Sequence, residues 1–354
     1  MIYHLSLALK QYISSLNVMH YVSFRAIAAL LTALGFSFLL GPWFIKQSKR
    51  FFRSKSREFT PETHRHKDDM PTMGGLLILS VVLITSLLWC DLTNPRVWLV
   101  LAGLFAFGAI GFWDDWSKIK HGEGISVITK FSAQWGAAFL LALGLVFCCG
   151  ISTEIVFPFF KNLRPDLGLL FIPWAMFIIV GCSNAVNLTD GLDGLAIGSL
   201  LTNFSTFSLI CYLAGHFRIA GYLNIPFAAS AEVAVLGAIL VGASLGFLWY
   251  NTYPAQIFMG DVGSLALGAG LALMALMAKQ ELLLLIAGGL FVIETVSVIV
   301  QVFSFRLFGK RFFKMAPLHH HFELMGWQEA KIATRFNIIS LILCLVALIT
   351  LKLR

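Results

Sequence analysis

The chain has 354 residues, of which 58% are hydrophobic and only 12% charged, and its mean hydropathy is +0.83. Soluble domains carry about 25% charged residues, so this composition excludes an ordinary soluble protein and indicates an integral membrane protein. The net charge of +8 could indicate nucleic-acid binding. In a membrane protein it is more typical of basic cytoplasmic loops and of anionic lipid or substrate partners. We therefore expect no nucleic-acid partner.

Apolar runs long enough to cross a bilayer recur along the sequence. A membrane-spanning helix needs about 20 apolar residues, and roughly ten runs come near this length. They lie near residues 22–45, 74–91, 96–113, 131–151, 167–186, 194–214, 231–250, 262–278, 282–305 and 336–352. The first run is too long for the apolar region of a signal peptide, so we interpret it as a retained span. The pattern predicts an all-α polytopic membrane protein that forms a single domain over residues 1–354.

Lysine and arginine residues crowd into the segments that follow the first, third and ninth predicted spans. Because basic loops stay on the cytoplasmic side of a membrane, the loops after odd-numbered spans are expected to be cytoplasmic. Both termini are then expected on the extracytoplasmic side. On that side the longest loop, near 152–166, predicts a hairpin, whereas every marked polar cluster falls on the cytoplasmic face.

Aspartates stand at the cytoplasmic ends of three predicted spans. Asp114 and Asp115 follow the third span, Asp190 and Asp193 follow the fifth, and Asp261 follows the seventh. Such hard oxygen ligands suit Mg²⁺ or Mn²⁺, and Mg²⁺ usually combines one or two carboxylates with substrate phosphates. For each aspartate taken alone, the alternative is a solvated cap at the membrane edge. Two adjacent carboxylates in a partly dry site need a nearby cation, and a carboxylate so placed can also accept a proton.

Two further polar groups stand in the last third of the chain. The run His319, His320 and His321 could bind zinc, but adjacent residues point in different directions, whereas zinc sites favour H-x-x-x-H spacing. Histidines can instead donate to phosphate oxygens or transfer protons near neutral pH, or simply form a polar loop. Glu294 and Gln301 share one face of the ninth span. They can line a polar seam or, as we favour, hydrogen-bond a neighbouring helix.

Basic residues and glycines accompany the acidic clusters. Lys67, Lys118 and Lys130 flank them, and lysine is a strong point-charge partner for phosphate, although topology alone explains most basic residues of the first loop. Gly260 and the residues after it place Asp261 at a helix N-terminus, where the dipole favours anions. Polar segments from five loops on one face therefore predict a metal-assisted transferase of phosphoryl type, with a soluble anionic substrate and a lipid-like acceptor.

Five motifs carry a resemblance to a known family. They are PTMGG at 71–75, FWDDWSK at 112–118, NAVNLTDGLDGLA at 184–196, NTYPAQIFMGDVGSLALG at 251–268 and APLHHHFE at 316–323. With these motifs the chain, from about Pro61 to its C-terminus, closely resembles the phospho-N-acetylmuramoyl-pentapeptide transferase family. The aspartate motifs are shared with the wider superfamily of polyprenyl-phosphate sugar-1-phosphate transferases, whereas the three-histidine segment looks specific to this branch.

The resemblance implies ten transmembrane helices and a Mg²⁺-dependent active site that faces the cytoplasm from a bacterial plasma (inner) membrane. The implied reaction joins UDP-MurNAc-pentapeptide and undecaprenyl phosphate to give lipid I and UMP, in the first membrane step of peptidoglycan synthesis. The resemblance is also compatible with a homodimer. We favour direct attack by the lipid phosphate as a hypothesis, and a covalent phosphoryl-aspartate intermediate is the alternative.

The same resemblance implies roles for individual residues. Asp261, Asp114 and Asp115 would bind the metal, with Asp261 as the main ligand, and these aspartates together with His319 would be catalytic. Substrate binding would fall to Lys67, Thr72, Lys118, Lys130, Asn187, Asp190, Gly191, Asp193, Asn251, Phe258, His320 and His321.

Two other functions stay open at the level of sequence. A transporter or flippase would place ionisable groups at mid-membrane, often in repeated halves, whereas here the acids crowd one face and no repeat is visible. A transferase that uses UDP-N-acetylglucosamine would differ in its donor, and the three-histidine segment argues against it.

Overall fold

The computed structural model describes residues 1–52, 70–160 and 163–353. Over these residues the regular structure is helical, apart from isolated backbone bridges such as the one between Glu154 and Asp166 in the predicted hairpin. This result confirms the predicted fold class. The helices are α1 (Ile2–Leu9), α2 (Val22–Phe51), α3 (Gly75–Trp89), α4 (Pro95–His121), α5 (Val127–Leu143), α6 (Phe171–Thr189), α7 (Leu195–Ala214), α8 (Phe217–Leu223), α9 (Ala231–Asn251), α10 (Gly260–Met277), α11 (Leu284–Ala287), α12 (Gly289–Phe308), α13 (Leu318–Glu323) and α14 (Glu329–Thr350).

Within the described residues, nine helical stretches are long and apolar enough to cross a membrane. They are α2, α4, α5 with its continuation to Cys148, α6 with the preceding turn from Gly168, α7, α9, α10, α12 and α14. The apolar helix α3 has only 15 residues, which is about 22 Å at 1.5 Å per residue. Since α3 falls within the predicted span 74–91, each of the ten predicted spans overlaps one apolar helix. The side on which the termini lie stays a prediction.

Helix α4 is longer than its apolar run predicts. It continues beyond residue 113 to residue 121, so Asp114 and Asp115 lie inside its last turns, where both are buried, rather than in a loop. The i,i+4 ion pair from Asp114 to Lys118 supports this extension. Gly122, in the left-handed conformation, then ends the helix. The carboxylate pair is therefore held by a rigid element.

Helix α10 forms the centre of the bundle. In its most apolar stretch of 18 residues, 89% of the residues are buried inside the protein, compared with 22% in the corresponding stretches of α2 and α12. It packs against α4, α6, α7 and α3. At Gly111 of α4, a Cβ would collide with the backbone of Asp261 in α10, so the two helices touch backbone to backbone where the acidic residues stand.

Helices α4 and α10 connect two polar ends of the bundle. The acidic end holds Asp114, Asp115 and Asp261, and the opposite end, called the far end below, holds Arg96 and Lys279, which line a common cavity. From Arg96 to Asp115 along α4 the distance is about 28 Å at 1.5 Å per residue. The two ends are thus separated by roughly the thickness of a bilayer core, about 30 Å.

Candidate active site

The three aspartates that are predicted to bind metal meet at the acidic end. Asp114 and Asp115 come from α4 and Asp261 from the first turn of α10, and one carboxylate oxygen of each lies within 4.8 Å of the others. Gly260 permits this approach: its φ is +74°, and a Cβ on it would lie 2.6 Å from Oδ2 of Asp115. The backbone N–H of Val262 donates to the same carboxylate at 3.3 Å. The acids are therefore positioned by main-chain geometry as well as by helix packing.

Two ammonium groups lie among these carboxylates. Lys118 Nζ is 2.7 Å from Asp114, 3.1 Å from Asp115 and 3.0 Å from Asp261. Lys130, in the first turn of α5, pairs with Asp114 at 3.2 Å and also with Asp261. Two lysines against three aspartates leave the cluster with a formal charge of −1. This excess of negative charge suits a bound cation, and the lysines limit the mutual repulsion of the acids.

The donor set fits Mg²⁺. Magnesium takes hard oxygen ligands, and Asp261, Asp114 and Asp115 present three carboxylates close enough to share one ion. Among the described residues, these three are the ones whose potential ligand atoms all lie within 4.8 Å of one another. His320 lies 2.7 Å from a carboxylate oxygen of Glu323 instead. The structure gives no support to zinc binding by the histidine run.

Helix α6 contributes a residue that fixes the central carboxylate. The Asn187 side-chain amide donates to Asp261 Oδ1 at 3.1 Å and to the Ser264 hydroxyl at 2.8 Å.

Asp190 lies just past the end of helix α6. Burial raises the pKa of Asp190 to about 8, and the carboxylates of Asp261, Asp115 and Asp193 add to this shift. Asp190 therefore holds a proton near neutral pH, which a nearby positive charge would help to release.

Several predicted substrate-binding residues hold the surrounding loops in place. The buried Asp193 carboxylate accepts a backbone N–H of the loop before α10 at 3.0 Å, and the Asn251 side chain bonds two further backbone groups. Phe258 pairs through its N–H and C=O with the PTMGG segment, at 2.9 and 2.8 Å. The carbonyl of Thr72 accepts the hydroxyl of Ser48 at 2.9 Å. These contacts shape the site, and the predicted contacts with substrate stay predictions.

The histidine run lies in the short helix α13, not in a loop, and its first member points toward the acidic end. His319 is fully buried, and its Nε2 fills the position that a Cβ on Gly191 would occupy, next to Asp190. Its Nδ1 lies 3.3 Å from Glu294 of α12, and that carboxylate also accepts the backbone N–H of Leu318 at 2.7 Å. The favoured interpretation of Glu294, a bond to a neighbouring helix, is confirmed. The contact between Glu294 and His319 was not predicted from the sequence, although an acidic residue inside a span is itself a signal of function.

The remaining predicted site residues either contact partners outside the aspartate cluster or fall outside the described residues. Besides His320, which pairs with Glu323, the ring Nδ1 of His321 accepts the backbone N–H of Lys314 at 3.2 Å. Lys67 falls outside the described residues. The structure therefore brings together Asp114, Asp115, Asp261, Lys118, Lys130 and Asn187. It places the His319 ring against Gly191, and the roles of the predicted site residues in catalysis and binding stay predictions.

Similarity to known proteins extends over the whole chain. The model of Glycosyl transferase family 4 matches residues 97–279. Relatives named phospho-N-acetylmuramoyl-pentapeptide-transferase occur in Citrifermentans bemidjiense, Aquifex aeolicus and Nitratidesulfovibrio vulgaris, at 50%, 49% and 52% identity. Each comparison covers 100% of this chain and 100% of the relative. The chain therefore belongs to the phospho-N-acetylmuramoyl-pentapeptide-transferase family.

Proposed function

We propose that the protein transfers phospho-MurNAc-pentapeptide from UDP-MurNAc-pentapeptide to undecaprenyl phosphate, giving lipid I and UMP as the first membrane step of peptidoglycan synthesis. The observation that carries this proposal is the partly buried cluster of three aspartates and two lysines at one end of a membrane-type bundle, in a chain of this family. An oxygen of the lipid phosphate would attack the β-phosphorus of the donor. The bond from that phosphorus to the bridging oxygen would break, and UMP would leave.

The residues of the cluster have distinct parts in this proposal. Lys118 and Lys130 are point charges that suit diphosphate oxygens, and Asn187 keeps Asp261 oriented. Mg²⁺, held by Asp261 with Asp114 and Asp115, would neutralise charge on the diphosphate and on the leaving UMP.

Direct attack by the lipid phosphate is favoured over a covalent aspartyl intermediate. All three carboxylates face at least one ammonium group, and such pairing lowers the nucleophilicity of a carboxylate. The lipid phosphate, in contrast, is an ionised nucleophile at neutral pH. Trapping a phosphoryl-aspartate that reacts at the catalytic rate when acceptor is added would contradict this preference.

We further propose that the acidic end faces the cytoplasm from a bacterial plasma membrane. The basic residues of the described chain concentrate at this end, in the last turns of α4, in α5, and at and after the end of α12, among them Lys118, Lys120, Lys130, Arg306, Lys310 and Lys314. Such a bias is typical of the cytoplasmic side. A cysteine-accessibility experiment in intact cells tests this orientation, and labelling of Ser117→Cys by an impermeant reagent from outside would overturn it.

The activity itself is tested with purified protein, both substrates and either Mg²⁺ or EDTA. We expect lipid I and UMP to appear together, only with both substrates and only with Mg²⁺. Replacing the donor with UDP-N-acetylglucosamine tests the related transferase, and UMP release at a similar rate from that donor would contradict the proposed specificity. Absence of UMP with every donor would refute the transferase and favour the transporter.

A further inference from the structure

A second polar cavity lies at the far end of the bundle. Its volume is about 480 Å³, which is within the range of about 300–1,000 Å³ that small-ligand pockets occupy. The described lining contains three cationic side chains, Arg96, Arg164 and Lys279, and a single acidic one, Glu154. The side chains that line the cavity therefore carry more positive than negative charge, of which the neighbouring buried Glu281, an ion-pair partner of Lys279, offsets one.

Lys279 is the most unusual member of this lining, because it is only 3% exposed. Its Nζ donates to the Ser152 carbonyl at 2.9 Å and lies over the Phe171 ring, 4.5 Å from the centroid. The buried carboxylate of Glu281 forms an ion pair with this ammonium group at 3.6 Å, a separation longer than that of a good hydrogen bond. Burial lowers the pKa of Lys279, since desolvation disfavours the charged form. An anion in the cavity would compensate for this cost.

The two arginines contact neutral groups in the same way. Arg96 donates to the Cys149 carbonyl at 3.4 Å and to the Ala228 carbonyl, and Arg164 donates to the Asn224 carbonyl at 3.4 Å. A guanidinium group has five N–H donors, so these bonds to carbonyls leave N–H groups that can bind a better acceptor. Two planar forks and one ammonium group are the set of donors that a phosphate group, with its several oxygens, accepts best.

We propose that this cavity is a second binding site, at the end of the bundle opposite the carboxylate cluster, for a phosphate-bearing anion. The phosphate can belong to a lipid headgroup or be free in solution. Phe227, which also lines the cavity, is 51% exposed, so an apolar surface adjoins the cations. The proposal does not depend on the transferase activity, because it concerns binding about 28 Å away from that site.

The test is calorimetric titration of the purified full-length protein in neutral detergent. The two probes are inorganic phosphate and dihexanoyl phosphatidylglycerol, with zwitterionic dihexanoyl phosphatidylcholine for comparison. Arg164→Gln removes one cavity charge, and Arg218→Gln removes the same charge from exposed α8 at the far end, outside the cavity lining. We expect Arg164→Gln to weaken binding about fivefold and Arg218→Gln to leave it unchanged.

A variant that is expected to bind the anion more tightly distinguishes the loss of a binding contact from misfolding. Glu154→Gln removes the acidic group of the described lining, so it should tighten binding about fivefold. If phosphate and phosphatidylglycerol show the same variant effects, the site recognises the phosphate group itself. An effect confined to phosphatidylglycerol identifies a headgroup site, and an effect confined to phosphate identifies a site for the free ion. Equal responses of Arg164→Gln and Arg218→Gln, or no saturable binding of either probe, would overturn the proposal.

Discussion

Replacement of Asp261 by asparagine is the sharpest test of the carboxylate cluster. The side chain keeps its shape, and an oxygen remains to accept the Asn187 amide, which lies 3.1 Å from Oδ1 in the native protein. The cluster loses one of three negative charges while both lysines stay, so its formal charge changes from −1 to 0. Unit charges 4 Å apart interact by about 4 kcal/mol at an effective dielectric constant of 20. A bound divalent cation should then lose at least that much, on the order of a thousandfold in affinity.

The assay is lipid I synthesis at limiting and at saturating Mg²⁺. We expect Asp261→Asn to lower the rate by at least about 100-fold at limiting Mg²⁺. The thermal midpoint should stay close to the native value, because Lys118 and Lys130 both keep Asp114 as a partner. Glu123→Gln removes a charge from the exposed turn after α4 and should change the rate by less than about twofold. Near-native turnover of Asp261→Asn at limiting Mg²⁺ would show that Asp261 is not the main metal ligand.

Three further substitutions test the surroundings of the cluster. Gly111→Ala drives a Cβ against the backbone of Asp261, so we expect scanning fluorimetry to show a clear loss of thermal stability. Gly136→Ala, whose Cβ meets nothing within 4 Å, should be neutral or stabilising by up to about 1 kcal/mol, and equal losses for both would contradict the predicted close helix contact. Because the pKa of Asp190 is raised from 3.8 to about 8, the native state holds the proton more tightly, and the stability of the metal-free protein should fall as pH rises through this window. Asp190→Asn should flatten that slope, and an unchanged slope would exclude Asp190 as its source. Glu294→Gln keeps an acceptor for the first amide of α13 but removes the charge that faces the buried histidine; kcat should fall about tenfold with little change in KM, and an unchanged kcat would exclude this positioning role.

The acidic site was predictable because ionisable side chains next to membrane-spanning segments cost free energy, so their presence there indicates a function. Asp114, Asp115 and Asp261 stood at the ends of two predicted spans on one face, and the structure places their carboxylates within 4.8 Å of one another. The extent of α4 was not predictable in the same way. A hydropathy pattern treats the charged stretch after residue 113 as a loop, whereas the helix continues because Lys118 pairs with Asp114 within it and α5 and α10 provide the other partners of these charges.

Contacts between distant segments account for what the sequence pattern missed. Glu294 meets His319 only because the chain turns back after α12, and Gln301 helps to hold that return by accepting the N–H groups of Phe312 and Phe313. No short-range periodicity encodes such a turn. The cations of the far end are similar, since each one, read alone, is a single basic residue near the end of a span. The fold is what gathers them into one cavity.

The connectivity of the two lysines suggests how the charged cluster can remain intact while it engages a substrate. Lys118 lies within 3.1 Å of all three carboxylates and shares a helix with two of them, whereas Lys130 reaches Asp114 and Asp261 from a different helix. Loss of one partner from a buried ion pair costs about 3–5 kcal/mol when the remaining charge is left uncompensated. If Lys130 turned toward a phosphate, both of its acids would still contact Lys118, so that penalty would be largely avoided. We therefore expect Lys118 to keep the three carboxylates compensated while Lys130 exchanges a carboxylate for a phosphate oxygen.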